Sequence, residues 1–158
     1  MEALIADIDA DMKLIGKELD GVKRKLARLK TEKDRENIDS HNKAVAASLH
    51  SVYSGYENIL ERIVRAVDGD VPLGTQYHVM LLKRAMNAIE GVRPAVLSVE
   101  TFKLLDELRT YRHKFRNIYL YLLSTERIMD LAQAGIKSFE AFERDINAFK
   151  RFLLSKSK

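Results

Sequence analysis

Basic and aromatic side chains are concentrated in one segment of this sequence, LRTYRHKFRNIYLYLL at residues 108–123. No acidic residue occurs from 108 to 125, so these cations have no counter-charge within the segment itself. Guanidinium groups bind phosphate well, because arginine can contact it through two parallel hydrogen bonds. On a helix with 100° per residue, an arc of about 80° holds Arg109, Arg112, Arg116 and Tyr119. An adjoining face carries His113 and Asn117, which are four residues apart.

The row of arginines has two explanations, since three neighbouring positive charges repel one another unless a negative group lies nearby. In the structural explanation, Arg109 and Arg116 pair with acids on neighbouring helices or turns, such as Asp106, Glu57 or Glu61. In the functional explanation, the row binds the phosphate groups of a ligand. The residues alone leave both explanations open.

The elements that must position this segment are helices, because apolar residues recur at three- and four-residue steps along most of the chain. The first helix is predicted from Glu2 to about Glu36, and the polar residues 37–42 are predicted to join it to the second. The other helices are predicted over residues 40–67, 75–90, 98–123 and 124–154, with Ser98 as an N-cap and Gly135 as a site of bending. The predicted fold class is therefore all-α, an up-and-down helical bundle with a long N-terminal helix. We divide it into the helix at 1–36, which would extend the bundle or a dimer, and the bundle at 37–158.

Composition excludes several classes of function. The 158 residues include no cysteine, which rules out disulfides, zinc–thiolate sites and cysteine nucleophiles. The histidines lack the spacing of metal ligands, and no glycine-rich phosphate loop is visible, so we expect no metal and no cofactor. No apolar run approaches 18 residues, so we expect no membrane segment and a cytoplasmic location. The net charge of +4 permits nucleic-acid binding without demonstrating it.

Three blocks of the sequence resemble a known family. RHKFRNIY, residues 112–119, resembles the R-x4-H-x-Y signature of HepT-like HEPN proteins, the toxin components of HEPN–MNT toxin–antitoxin pairs. AASLHSVYSGYENILERI, residues 46–63, is similar to the second-helix block of that family. GVRPAVLS, residues 91–98, is similar to the loop before its signature helix. Together the blocks indicate a HEPN-like bundle over roughly residues 40–155.

The resemblance implies a fold, an activity and partners. HEPN domains are helical bundles that form homodimers, with the signature helices of two protomers facing each other across a cleft. In active members, the arginine and histidine of the signature form a metal-independent ribonuclease site in which the RNA 2′-hydroxyl is the nucleophile. Arg112 matches the family arginine. Tyr119 matches the tyrosine that an MNT-type nucleotidyltransferase antitoxin modifies with AMP, which would add negative charge and bulk beside the arginines.

One position departs from the family pattern, because Asn117 occupies the place of the signature histidine. An amide neither gains nor loses a proton near neutral pH, so it cannot act as a general acid or base. His113 lies one turn earlier, and we interpret it as a phosphate contact or a hydrogen-bonding group of the dimer cleft rather than as a substitute base. The candidate catalytic positions are Arg112, Asn117 and His113. The candidate RNA- or phosphate-binding residues are Arg109, Arg116 and Lys114.

The predicted function is therefore a HepT-like endoribonuclease toxin whose activity is weakened or absent. Its expected partners are a second copy of the chain, an MNT-type nucleotidyltransferase and RNA. The alternative is a non-catalytic helical module that binds a partner protein or RNA and cleaves nothing. The long first helix fits this alternative too, because it could embrace a partner.

Overall fold

The computed structural model describes residues 1–117 and 124–156, with side chains described for 1–113 and 124–156. This part of the chain packs as a helical bundle around one hydrophobic core, which confirms the predicted all-α fold class. None of its helices is long and apolar enough to span a bilayer. The helices are α1 (Glu2–Leu29), α2 (Arg35–Val67), α3 (Tyr77–Met86), α4 (Val99–Asn117) and α5 (Thr125–Lys156).

The turn between the first two helices comes earlier than the sequence pattern indicates. Helix α1 ends at Leu29, not near Glu36, and α2 begins at Arg35, so the predicted joint at 37–42 lies inside α2. Two carboxylates build the turn. Asp34 is the N-cap of α2, and its Oδ1 accepts a hydrogen bond from the amide of Asn37 at 3.0 Å. Glu32 accepts bonds from the next two amides, and these bonds lower the pKa of its carboxyl.

Helix α1 belongs to the same core as the rest of the bundle. It packs along α2 and α5, and its buried residues recur at helical spacing on one face. The boundary of the predicted division, between residues 36 and 37, falls within α2. The buried positions of α1 are Ile8, Ile15, Leu19, Gly21, Val22, Leu26 and Leu29.

Two glycines let neighbouring helices approach closely. A Cβ on Gly55 of α2 would lie 2.7 Å from Cγ1 of Ile15 in α1, which is closer than carbon atoms pack. A Cβ on Gly135 of α5 would lie 2.6 Å from Cδ2 of Leu49 in α2. Helix α5 runs without interruption through Gly135, so this glycine serves a close contact between helices and does not divide the helix.

Helix α4, which carries the signature segment, begins as the sequence predicts. Ser98 is its N-cap, and the hydroxyl of Ser98 accepts a hydrogen bond from the amide of Thr101 at 3.2 Å. The amide of Ser98 donates to Oδ2 of Asp145 in α5 at 2.7 Å, which fixes the start of α4 against α5. Burial works to raise the pKa of the Asp145 carboxyl, but the hydrogen bonds from Thr101 and Ser98 outweigh burial and lower the pKa.

Helix α3 is shorter than predicted, ending at Met86 instead of near Glu90. Asn87 already has extended backbone angles, and a tight turn closed by paired backbone groups of Ile89 and Arg93 follows. Gly91 within that turn has a φ of 74°, a conformation that other residues rarely adopt. The predicted end of α4 near Leu123 lies outside the described residues.

The side chain of Arg93 is fully buried and joins the ends of α2 and α3 to the segment before α4. Its Nε and Nη2 donate to the two carboxylate oxygens of Asp68 at 2.6 and 2.8 Å. Its Nη1 donates to the carbonyls of Asn87 and Pro94, and Nη2 also donates to the carbonyl of Arg84. This one side chain therefore fixes three helices relative to one another, and these helices carry the residues of the candidate site.

Candidate functional site

Arg112 lies where α4 faces α2 and α3, and it contacts three different side chains. Its Nη1 lies 3.3 Å from Oε2 of Glu57 in α2 and 3.4 Å from each ring nitrogen of His78 in α3. Its guanidinium carbon lies 5.7 Å from the ring centroid of Tyr53, within the range of a cation–π contact. Only 18% of the Arg112 side chain is exposed. The guanidinium is therefore held in one orientation before any ligand binds.

Glu57 connects Arg112 to His78 through its two carboxylate oxygens. While Oε2 faces the guanidinium, Oε1 lies 2.5 Å from Nδ1 of His78. The Glu57 side chain is 9% exposed, and the His78 side chain is 40% exposed. Because a carboxylate accepts hydrogen bonds, Nδ1 is the ring nitrogen that donates a proton to Glu57.

Nη1 of Arg112 lies 3.4 Å from Nδ1 and 3.4 Å from Nε2 of His78. A point equally distant from both ring nitrogens lies well off the lone-pair direction of either one. The guanidinium therefore packs beside the imidazole and does not lie along the lone-pair direction of Nε2.

A small cavity of about 80 Å³ opens between α3 and α4, and it is lined by four basic side chains: His78, Arg109, Arg112 and His113. Arg109 is half-buried, and its Nε donates to Oδ1 of Asp106 at 2.7 Å. Each of the two arginines thus has one carboxylate in the same subunit and carries further N–H donors beyond those bonds. Basic groups lining one cavity in this way suit an anion of the size of a phosphate.

The structure brings together three of the predicted site residues, namely Arg109, Arg112 and His113. It also supports part of the structural explanation of the arginine row, because Arg109 pairs with Asp106 and Glu57 pairs with an arginine. Glu57 contacts Arg112, whereas the sequence analysis had predicted acidic partners only for Arg109 and Arg116. Lys114, Arg116 and Asn117 lie in or next to the last turn of α4, but their side chains are outside the described part of the structure. Tyr119 also lies outside it.

Sequence reasoning missed Glu57 and His78 as site residues. They are 21 residues apart, and Arg112 is 34 residues beyond His78, so no local spacing connects them. One signal was present for Glu57: it is an acid within the apolar stripe of α2, where a buried charge requires a partner. Across residues 1–117 and 124–156, no group of three or more His, Asp or Glu side chains could hold a metal ion.

Comparison with known proteins identifies the family. The family model described as HepT-like protein matches residues 44–153, which are 110 of the 158 residues. The matched range includes the three blocks at 46–63, 91–98 and 112–119, as well as Glu57 and His78. No curated protein and no solved structure shows significant similarity to the chain. Since the match covers more than half of the chain and the fold is an all-helical bundle, the chain belongs to the HepT-like family of HEPN proteins.

Proposed function

We propose that this protein is a metal-independent endoribonuclease toxin of a HEPN–MNT pair, in which the cavity between α3 and α4 binds an RNA phosphate. The observation that carries the proposal is the set of four basic side chains around that cavity, with Arg112 at its centre. The family match supports the same assignment. RNA contains its own nucleophile, so a site that holds one phosphate and moves one proton is sufficient for cleavage.

Arg112 would stabilise the charge that develops on the phosphate during cleavage. Glu57 and Tyr53 already fix its guanidinium, so little orientational freedom is lost when the phosphate arrives. Arg109 would contact a second oxygen of the same phosphate or of its neighbour. Arg116 and Lys114 follow on the same helix and would extend the basic surface along the RNA backbone.

Two further parts of the proposal concern partners. A homodimer with α4 of each protomer facing a common cleft would place two copies of Arg112 on one RNA strand. Tyr119 lies two residues beyond Asn117, and a nucleotidyltransferase partner that transfers AMP to its hydroxyl would bring a phosphate close to the arginines. That phosphate would compete with RNA for the same donors.

The proposal is tested by incubating the purified protein with RNA in the presence of EDTA. We expect Arg112→Ala to slow cleavage by about 10²–10³-fold, the range for loss of one group that stabilises transition-state charge. Arg144→Ala is the matched control, because Arg144 lies on α5, is exposed and pairs with Glu100 away from the cavity. Circular dichroism would show that both variants fold. If Arg112→Ala and Arg144→Ala cleave RNA equally fast, the cavity is not the active site.

A second candidate function is a non-catalytic module that binds RNA or a partner protein. Two observations favour it: Asn117 stands in the place of the signature histidine, and Arg109 and Arg112 are each paired with an acid in the same subunit. In this case the wild-type protein would bind RNA and leave it intact, and Arg112→Ala would weaken the binding. Restoration of cleavage by Asn117→His would show that only the proton-transferring group is missing.

A further inference from the structure

We infer that Glu57 and His78 form the proton-transfer pair of this site, with Nε2 of His78 acting as the general base that Asn117 cannot be. The inference rests on the proposed ribonuclease function and adds a catalytic residue to it. Neither residue lies in the signature segment, and they reach Arg112 from two other helices. The short contact between Glu57 and His78 on the wall of the phosphate-sized cavity carries the inference.

The first argument is the geometry of the pair. Oε1 of Glu57 lies 2.5 Å from Nδ1 of His78, which fixes the proton on Nδ1 and the orientation of the ring. A nearly buried carboxylate that orients an imidazole in this way also stabilises the ring when it takes up a second proton. The same carboxylate contacts Arg112, so one group positions both the proton acceptor and the phosphate-binding cation.

The second argument is the exposure of the ring. A histidine that served only to satisfy a buried glutamate would have no reason to line a cavity of basic residues. His78 is 40% exposed and faces that cavity together with Arg109 and Arg112. The imidazole is therefore accessible to a ligand whose phosphate the two arginines hold.

The chemical step balances without a metal or a co-reactant other than water. Nε2 of His78 takes the proton of the RNA 2′-hydroxyl, and the 2′-oxygen forms a bond to the adjacent phosphorus. The bond from phosphorus to the 5′-oxygen breaks, and that oxygen takes a proton from water. The products are a 2′,3′-cyclic phosphate and a 5′-hydroxyl end. His78 then returns its proton to the solvent, which restores the starting state.

The test compares His78→Ala with His41→Ala in the cleavage assay, using full-length protein and a single-stranded RNA with a labelled end. His41 is the control, because it lies near the start of α2 and does not line the cavity. We expect His78→Ala to slow cleavage by about 10²–10⁴-fold while RNA affinity changes by less than about threefold. Added imidazole should restore part of the lost rate in His78→Ala. A structural role of His78 would not produce this rescue.

Three results would overturn the inference, and they bear differently on the proposed function. If His78→Ala cleaves RNA as fast as wild type while Arg112→Ala does not, His78 is not the base and the ribonuclease function stands. If wild type is inactive but Asn117→His is active, the site needs the signature imidazole and the Glu57–His78 pair does not replace it. If neither wild type nor Asn117→His cleaves RNA, the ribonuclease function fails as well.

Glu57→Gln gives an independent measurement. The amide keeps the size of the side chain but removes the charge that stabilises a protonated His78. We expect this variant to lower kcat more than it raises KM, since the lost interaction matters most when the ring is charged. A change in KM alone would mean that Glu57 only positions Arg112, and the pair would then lose its assigned role.

Discussion

Replacing Arg93 with methionine should destabilise the protein strongly, because among the described contacts this arginine is the only cation that pairs with the buried carboxylate of Asp68. Asp68 is 3% exposed and receives two hydrogen bonds from the guanidinium, from Nε and from Nη2. Methionine fills most of the same space, so the change removes charge and donors without opening a large cavity. The carbonyls of Arg84, Asn87 and Pro94 lose a donor at the same time.

The magnitude follows from the loss of one partner of a buried ion pair, which costs about 3–5 kcal/mol. For a domain of this length, each kcal/mol lowers Tm by about 2–4 °C, so Arg93→Met should lower Tm by about 6–20 °C. Urea unfolding followed by circular dichroism gives the free energy directly. RNA cleavage or binding should also weaken below the melting transition, because the ends of α2 and α3 lose the side chain that joins them to the segment before α4.

Arg84→Met is the matched control for this prediction. Arg84 also donates to an aspartate, Asp70, but that carboxylate is largely exposed, and such pairs contribute less than about 1 kcal/mol. If Arg93→Met loses no more stability than Arg84→Met, the reasoning that the buried pair fixes three helices is wrong.

Two smaller changes test the packing of the bundle. Gly55→Ala should lower the free energy of unfolding by about 1–3 kcal/mol, because the added Cβ would clash with the stiff side chain of Ile15. Gly16→Ala, where a Cβ has room, should raise the free energy of unfolding by about 0.5–1 kcal/mol. Equal effects of the two substitutions would refute the close approach of α1 and α2 at Gly55. Asp145→Ala should cost about 1–3 kcal/mol at pH 7 through loss of the bond from the Ser98 amide. The pKa of Asp145 is lowered despite its burial, so this difference in stability should persist above about pH 4 and shrink as the pH falls through the folded-state pKa. Denaturant titrations at pH 7 and at a pH below the folded-state pKa would show this.

Much of the fold was predictable because it depends on local patterns. The apolar stripe of α2 and the N-cap at Ser98 lie within single elements, and the structure has both. The first turn was misplaced for a physical reason. Residues 30–34 are mostly charged and resemble a continuing helix, but Glu32 and Asp34 accept hydrogen bonds from backbone amides there. The short polar residues at 37–42 are instead accommodated in the first turns of α2.

The candidate site was predictable only where it lies in one segment. Arg109, Arg112 and His113 share α4, and their spacing in the sequence is enough to predict that they lie near one another. Glu57 and His78 join them only because α2 and α3 pack against α4, a tertiary arrangement that no sequence window contains. The position of His78 depends on the short α3, which ends four residues before its predicted end near Glu90.

The close contact at Gly55 has a consequence for the carboxylate two residues further along α2. Two residues of helix correspond to a rotation of about 200°, so Glu57 and Gly55 point to nearly opposite sides of α2. Ile15 can approach the axis of α2 this closely only at Gly55, since the neighbouring positions of α2 carry side chains. The position of Glu57, and through its contacts that of His78 and Arg112 on the cavity wall, therefore depends on Ile15 of the N-terminal helix, on the opposite side of α2.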